Sequence, residues 1–308
     1  MVTLTINDVQ VTVPEGTTVL DAATQAGFFI PTFCHTPELV GFGACRMCVV
    51  EIEKMRNMPA SCVTKATEGM VVHTETEAVM EARRTILELI LANHPQDCMT
   101  CEKNGHCLLQ DYCFRYGVKH SCFEGAKHNY PLDESNPYIT RDLNKCILCG
   151  RCVRSCGQVQ ERAVIDYAYR GFNTKIAAPM DPPLAESACV SCGRCVAVCP
   201  VGALTYKRLA GIGRYWEMER EEITCTFCDN GCRFDLVKKD GKVVGVEAKA
   251  PGTGRPLCLK GRLGLELKYC EQPQVPQLKK DGQYVDVSWA EALGLDDLIS
   301  KMTALDNK

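Results

Sequence analysis

Apolar and polar residues alternate along two short runs at the start of the chain. Val2–Ile6 and Val9–Val13 both follow a period of two, which is typical of half-buried strands. Asn7 and Asp8 separate the two runs and predict a tight turn. A short helix through Ala26 is predicted next, so the chain should open with a strand–strand–helix unit.

A longer run has the period of an amphipathic helix. Between Glu77 and Asn93 the apolar residues fall roughly along one face, and Thr76 is placed to cap the first turn. The predicted helix delivers His94 at its C-terminal end.

The C-terminal part of the chain predicts hairpins and one closing helix. Two pairs of turn-forming residues lie between apolar runs, and a capping box precedes the closing segment. These features are the hairpin of Phe234–Val237 and Val243–Val246 around Asp240-Gly241, the hairpin around Asp281-Gly282, and the helix that opens at Ser288-Trp-Ala-Glu291.

Size, charge and hydropathy argue against several classes of protein. The chain has 308 residues, which suits two or three domains, and its net charge of −3 gives no electrostatic case for binding nucleic acid. No basic leader followed by an apolar run is seen at the start, and no apolar stretch is long enough to cross a bilayer. We therefore expect a cytoplasmic protein without direct membrane insertion.

Cysteine usage changes this picture most. The chain has 22 cysteines, and 19 of them fall into five groups with the spacing of metal-cluster ligands. A disulfide framework is the alternative, but the many Cys-x2-Cys pairs and the lack of a secretory leader favour metal binding. Cys113, Cys122 and Cys270 lie outside the pattern. The groups are Cys34, Cys45, Cys48 and Cys62; His94, Cys98, Cys101 and Cys107; Cys146, Cys149, Cys152 and Cys156; Cys189, Cys192, Cys195 and Cys199; and Cys225, Cys228, Cys232 and Cys258.

The third and fourth groups form an internal repeat. Both are Cys-x2-Cys-x2-Cys-x3-Cys, and they begin 43 residues apart at Cys146 and Cys189. In two-cluster bacterial ferredoxins, the fourth cysteine of each run serves the other cluster. Crossed ligation therefore predicts two [4Fe–4S] clusters, one on Cys146, Cys149, Cys152 and Cys199 and the other on Cys189, Cys192, Cys195 and Cys156.

The other three groups leave alternatives open when ligand chemistry alone is considered. The Cys34 group is typical of a ferredoxin-like [2Fe–2S] site, with zinc as the alternative. His94 with its three spaced cysteines fits either an iron–sulfur cluster or a Cys3His zinc site. The Cys225 group fits either a fifth cluster or a zinc ribbon.

Taken in order, the five groups resemble the iron–sulfur part of one superfamily. It contains the large cluster-bearing subunit of complex I, NAD-linked formate dehydrogenase alpha subunits, and the cluster subunits of electron-bifurcating hydrogenases and transhydrogenases. The first module resembles a plant-type ferredoxin. The motifs that carry the resemblance are the His94 group followed by Leu109-Gln110 and Tyr116-Gly117, and further on Cys258-Leu-Lys-Gly-Arg262 and Val287-Ser-Trp-Ala-Glu-Ala292.

The resemblance implies an α+β chain of several domains with one [2Fe–2S] and four [4Fe–4S] clusters, one of them on the His94 group. Five modules are expected along the chain. In order, they are a β-grasp [2Fe–2S] ferredoxin domain (1–78), a helical His/Cys3 [4Fe–4S] domain (79–135), a two-cluster [4Fe–4S] ferredoxin domain (136–210), a small [4Fe–4S] domain of the molybdopterin-oxidoreductase type (218–275) and a short C-terminal extension (276–308).

The expected function is electron relay, with no catalytic residues in this sequence. No complete Gly-x-Gly-x-x-Gly motif is present, and we expect neither a pterin-binding nor a hydrogen-activating domain. The resemblance implies a soluble NAD(P)-linked, flavin-dependent complex, such as a hydrogenase, formate dehydrogenase or transhydrogenase, including electron-bifurcating types. Its partners would be a flavoprotein subunit like that of complex I and a further redox or catalytic subunit. The alternatives are a shortened complex I-type NADH–quinone oxidoreductase subunit and a zinc-stabilised binding protein without redox activity.

Overall fold

A computed structural model describes residues 1–250, 256–270, 275–280 and 282–295. Within these ranges the chain combines small sheets with short and medium helices, as expected for the α+β class. No helix of the described residues is both long and apolar enough to cross a membrane.

The N-terminal sheet has the strand order β2-β1-β4-β3, with β1 and β4 parallel and the outer pairs antiparallel. The two predicted strands are confirmed with the predicted bounds, and Asn7 and Asp8 turn between them at φ 44° and 67°. The helix is confirmed as well, and Thr18 caps it through the amide of Asp21. The elements are β1 (Val2–Ile6), β2 (Val9–Val13), α1 (Val19–Gln25), β3 (Glu51–Ile52) and β4 (Val71–His73).

Two helices follow this sheet. The predicted helix α2 (Glu77–Asn93) is confirmed together with its Thr76 cap, and it buries Val79, Arg83 and Leu87. The second helix, α3 (Leu108–Tyr116), begins directly after Cys107 and is not predicted by the sequence analysis.

The repeat region consists of two short helices and two small antiparallel sheets. Strand β5 pairs with β8, and β6 pairs with β7. A five-residue π-helical turn, Ser155–Val159, continues α4 and carries Cys156. The elements are β5 (Ile139–Arg141), α4 (Arg151–Arg154), β6 (Asp166–Ala168), β7 (Lys175–Ala177), α5 (Arg194–Val198) and β8 (Leu204–Tyr206).

The last part holds a three-stranded antiparallel sheet in the order β11-β10-β9, one helix, and a separate hairpin. Both predicted hairpins are confirmed, although Asp281 of the second lies outside the described residues. Ser288 caps the closing helix as predicted, through the amide of Glu291. The elements are β9 (Glu219–Thr224), β10 (Arg233–Lys239), β11 (Lys242–Ala248), α6 (Leu259–Tyr269), β12 (Gln277–Lys280), β13 (Gln283–Asp286) and α7 (Trp289–Ala292).

Buried apolar residues form three clusters. One lies beneath the N-terminal sheet and another lies between β10, β11 and α6. The largest cluster is continuous from Phe33 and Met47 of the first module, through α2 and α3, to the repeat region and Val237. The cysteine-bearing modules that share this cluster are therefore packed against one another. Burial of the shared apolar surface is the main favourable contribution to their association.

Candidate metal-cluster sites

The first candidate site lies in the loops between α1 and β4. Cys34, Cys48 and Cys62 are almost completely buried, and Cys45 is half-buried. Hydrogen bonds from the side chains of Cys45 and then Cys62 lower the pKa of Cys34, so these sulfur atoms face the same small volume. The Cys62 thiol likewise lowers the pKa of Cys48. The structure thus brings the whole predicted group together.

The second group surrounds a cavity between α2, α3 and the loop that joins them. His94 lies at the end of α2, and Cys107 immediately precedes α3. Cys98 and Cys101 lie on the turn between them, and all four residues line the same cavity. Burial raises the pKa of Cys107 to about 11 and also raises the pKa of Cys101, so both thiols need a positive partner to ionise at neutral pH.

The imidazole of His94 is oriented as a metal ligand would be. Its Nδ1 lies 2.7 Å from the carbonyl oxygen of Pro95, and because a carbonyl only accepts, Nδ1 must carry the proton. Nε2 then has a lone pair; it is buried and has no hydrogen-bond partner among the described residues. Burial also lowers the pKa of His94, which keeps the ring neutral. A buried acceptor left without a partner fits coordination to a metal.

The eight cysteines of the repeat line a single cavity. All eight are at most partly exposed, and Cys149 and Cys199 are buried. Burial, followed by repulsion from the nearby Cys149 and Cys199, raises the pKa of Cys146 to about 12. Burial, followed by repulsion from Cys189 and Cys156, raises the pKa of Cys192. Cys199 of the second run is thus a near neighbour of Cys146, and Cys156 of the first run is a near neighbour of Cys192.

The two halves of the repeat share the same loop geometry. Leu148 and Ser191 both adopt φ 54°, and their amides donate to the sulfur atoms of Cys146 and Cys189 at 3.4 Å. Hydrogen bonds of this kind to thiolate sulfur favour the ionised form and tune a bound cluster. Gly193 in the second half leaves no room for a side chain unless its surroundings shift, because a Cβ there would lie 2.7 Å from the hydroxyl of the buried Tyr206.

The last group lies between the three-stranded sheet and α6. Cys225 and Cys232 are buried, whereas Cys228 and Cys258 are exposed. Burial, followed by repulsion from Cys225, Cys258 and Cys228, raises the pKa of Cys232, so the four sulfur atoms lie near one another. The sulfur of Cys258 also caps α6, since it accepts from the amide of Gly261 at 3.2 Å.

The three cysteines outside the groups have separate environments. Cys113 lies on α3 and lines the cavity of the His94 group. Cys122 is exposed and donates to a carboxylate oxygen of Glu88 at 2.8 Å. Cys270 ends α6 in a buried position.

No disulfide is formed by any of the 22 cysteines, all of which lie in the described ranges. Among the described residues, no three His, Cys, Asp or Glu side chains are arranged to hold a single metal ion.

Buried arginines connect the sites, and the sequence analysis did not single them out. Arg154 donates to the carbonyl oxygens of Cys34 and Val40, and so joins α4 to the first site. Arg194, which occupies the equivalent position to Arg151 in the repeat, pairs with Glu38 of the first module. For Arg194 the available signal was the Cys-Gly-Arg sequence common to both halves of the repeat.

Family models match four successive parts of the chain. A 2Fe-2S iron-sulfur cluster binding domain matches residues 1–77, and an NADH-ubiquinone oxidoreductase-G iron-sulfur binding region matches residues 83–121. A 4Fe-4S dicluster domain matches residues 145–203, and a molybdopterin oxidoreductase Fe4S4 domain matches residues 222–269. The chain therefore contains one [2Fe–2S] domain and several [4Fe–4S] domains.

Several known proteins are similar to this chain. It is 37% identical over 95% of its length to an NADH-quinone oxidoreductase subunit of Rhizobium meliloti, of which it spans 34%. It is 43% identical over 66% of its length to NADP-reducing hydrogenase subunit HndD of Solidesulfovibrio fructosivorans, of which it spans 36%. A chain in the crystal structure of NAD+-reducing [NiFe]-hydrogenase in the H2-reduced state is 34% identical, with a TM-score of 0.64; the match covers 69% of this chain and 90% of that one. The chain thus spans about a third of the length of these two sequence relatives.

Clustered cysteines in four successive iron–sulfur domains define an iron–sulfur protein. More narrowly, the chain belongs to the superfamily that contains the cluster-bearing subunit of NADH-quinone oxidoreductase and the hydrogenase subunit HndD. The resemblance expected from the sequence is thereby confirmed.

Proposed function

We propose that the chain is an electron-relay subunit that binds one [2Fe–2S] and four [4Fe–4S] clusters. Each of the five predicted ligand sets would hold one cluster, with the fourth cysteines of the repeat exchanged. Bound clusters would supply one-electron oxidation and reduction. The protein's own contribution is to hold the ligand sets in fixed relation, to supply amide donors to sulfur, and to exclude water.

The observation that carries this proposal is that the repeat region makes buried contacts with each of the other three sites. Arg154 reaches the carbonyl of Cys34 in the first site. The amide of Leu108, next to Cys107, donates to the carbonyl of Pro200, next to Cys199, at 3.0 Å. The side chain of Gln160 in the repeat region makes hydrogen bonds with the backbone of Leu257, next to Cys258. The repeat region is thus the hub through which electrons would pass between the outer sites.

The two sites nearest the N-terminus also contact each other. The hydroxyl of Tyr112 on α3 donates to the carbonyl of Thr32 and accepts from its amide, both at 3.2 Å. Arg83 on α2 donates to the carbonyls on both sides of Cys48. A partner subunit would therefore have two adjacent sites with which to exchange electrons, and the exposed Cys228 and Cys258 would offer a second redox subunit a contact at the last site.

We assign the chain to an NAD(P)-linked, flavin-dependent complex in the cytoplasm, with a flavoprotein subunit as its donor or acceptor and a further redox subunit beyond the Cys225 site. The similarity to hydrogenase subunits supports this. A complex I-type quinone oxidoreductase is the second candidate, because the matches that cover 95% of the chain include NADH-quinone oxidoreductase subunits of Rhizobium meliloti and Thermus thermophilus.

Anaerobic purification of the tagged protein with its native partners tests the assignment. We expect a flavoprotein subunit and a second redox subunit to co-purify, and NAD(P)H to reduce the clusters only when the flavoprotein is present. Co-purification with membrane-bound quinone-reductase subunits would establish the second candidate. NADH oxidation by the flavin-free chain alone would contradict the relay assignment.

A further inference from the structure

Gln160 is a buried amide side chain placed between two of the candidate sites. It follows the π-helical turn that carries Cys156, and its own amide closes that turn on the carbonyl of Ser155 at 2.9 Å. Only 5% of Gln160 is exposed, and the side chain lines the cavity shared by the cysteines of the repeat.

The other end of the Gln160 side chain binds the backbone of the last module. Its Nε2 donates to the carbonyl oxygen of Leu257 at 2.6 Å, and its Oε1 accepts from the amide of Leu257 at 2.8 Å. Leu257 is itself buried and immediately precedes Cys258. Both polar ends of the amide are therefore satisfied by one residue, 97 positions away in sequence.

This arrangement is specific in a way that apolar packing is not. A buried amide loses its hydration and must regain hydrogen bonds, so it is favourable only where both partners lie in the correct place. Paired donor and acceptor bonds fix the position of Leu257 along and across the interface. Gln158, two residues earlier on the same turn, is exposed and has no such contact in the described structure.

Other contacts hold the same two modules together at a separate point. The hydroxyl of Tyr206 donates to the carbonyl of Gly193 at 3.1 Å and accepts from the amide of Ala248 at 3.0 Å. Arg194 donates to the carbonyl of Lys249 at 3.0 Å. Loss of the Gln160 contact should therefore leave the modules associated but let the segment before Cys258 shift.

We infer that Gln160 is the positioning residue for electron transfer between the site of Cys156, Cys189, Cys192 and Cys195 and the site of Cys225, Cys228, Cys232 and Cys258. It sets their separation and orientation by binding next to one ligand of each site. The inference rests on the proposed function, because it requires a cluster at both sites. Electron tunnelling falls steeply with distance, so a small displacement at this contact has a large effect on rate.

The test compares Gln160→Leu with wild-type protein and with Gln158→Leu in the anaerobically purified complex. Leucine has a similar volume but makes neither hydrogen bond. We expect equal iron content in all three proteins, a weaker magnetic dipolar coupling between the two reduced clusters in Gln160→Leu by pulsed EPR, and at least about ten-fold slower reduction of the Cys225-site cluster by freeze-quench.

Coupling and rate equal to those of Gln158→Leu would overturn the inference. If Gln160→Leu loses iron from the last module, Gln160→Asn decides the question, since its side chain is too short to make both bonds to Leu257. Reduced coupling in Gln160→Asn supports the inference, and wild-type coupling overturns it. A wild-type protein with no EPR signal from the last site would instead contradict the proposed function, which separates the two failures.

Discussion

Replacing Arg83 with methionine should destabilise the contact between the first two sites. Arg83 is fully buried on α2, and its guanidinium donates to the carbonyls of Met47 at 3.2 Å and Val49 at 3.0 Å and to the hydroxyl of Tyr116 at 3.3 Å. Methionine fills a similar space but donates nothing. Two buried carbonyls on either side of Cys48 would then lose their donor.

The expected loss in the free energy of unfolding follows from these contacts. Each buried carbonyl left without a donor costs about 1–3 kcal/mol. Removing the buried charge recovers part of this cost. We therefore expect Arg83→Met to lower the free energy of unfolding by about 3–4 kcal/mol, which would lower the urea midpoint by roughly 1.5–2 M for a slope of about 2 kcal/mol per M.

The neighbouring arginine is a matched control. The Arg84 side chain is 41% exposed and, among the described residues, pairs only with an exposed glutamate on the same helix. Arg84→Met should change the free energy of unfolding by no more than about 0.5 kcal/mol. The unfolding midpoints of both variants are measured by anaerobic urea titration, with visible circular dichroism as the signal. Equal midpoints for Arg83→Met and Arg84→Met would refute the argument that these buried hydrogen bonds hold α2 to the first site.

Three further variants test individual sites. His94→Cys replaces a neutral ligand with an anionic one, so a redox titration should show a lower midpoint potential for that cluster alone; an unchanged potential would argue against ligation by His94. Cys156→Ser should damage the cluster on Cys189, Cys192 and Cys195, and an EPR change confined to the Cys146 site would show that the ligands are not crossed. Cys228→Ala should abolish coupled turnover of the complex while NAD(P)H still reduces dyes at the flavin; coupled activity that persists after loss of this cluster would make the last module a structural support.

Local sequence signals predicted the elements whose causes are local. The first hairpin and α2 have the predicted bounds, because the period of apolar residues, the turn at Asn7 and the Thr76 cap all lie within a few residues of the element they define. The ligand groups could also be recognised from the sequence, because most members of each group lie close together along the chain.

Elements that depend on distant partners were missed. Helix α6 contains Gly261 and Gly264, which disfavour helix, yet a Cβ on Gly264 would lie only 2.9 Å from the ring of Phe227. Strand β9 is mostly charged and lacks alternation, but it is the edge strand next to β10, and its glutamates pair with lysine and arginine side chains there. Tertiary contacts therefore override weak local propensity at both places.

The buried polar residues that connect the sites could not be located from sequence either. Arginine and glutamine are usually exposed, and the partners of Arg154 and Gln160 are about a hundred positions away. Only the assembled structure shows that each binds beside a candidate ligand.

Iron and sulfide analysis of the anaerobically purified protein, combined with EPR of the reduced state, tests the central claim most directly. The account predicts about 18 irons per chain, with one [2Fe–2S] signal and four [4Fe–4S] signals. A preparation that contains mostly zinc, or one that has no [4Fe–4S] signal from the repeat, would contradict it.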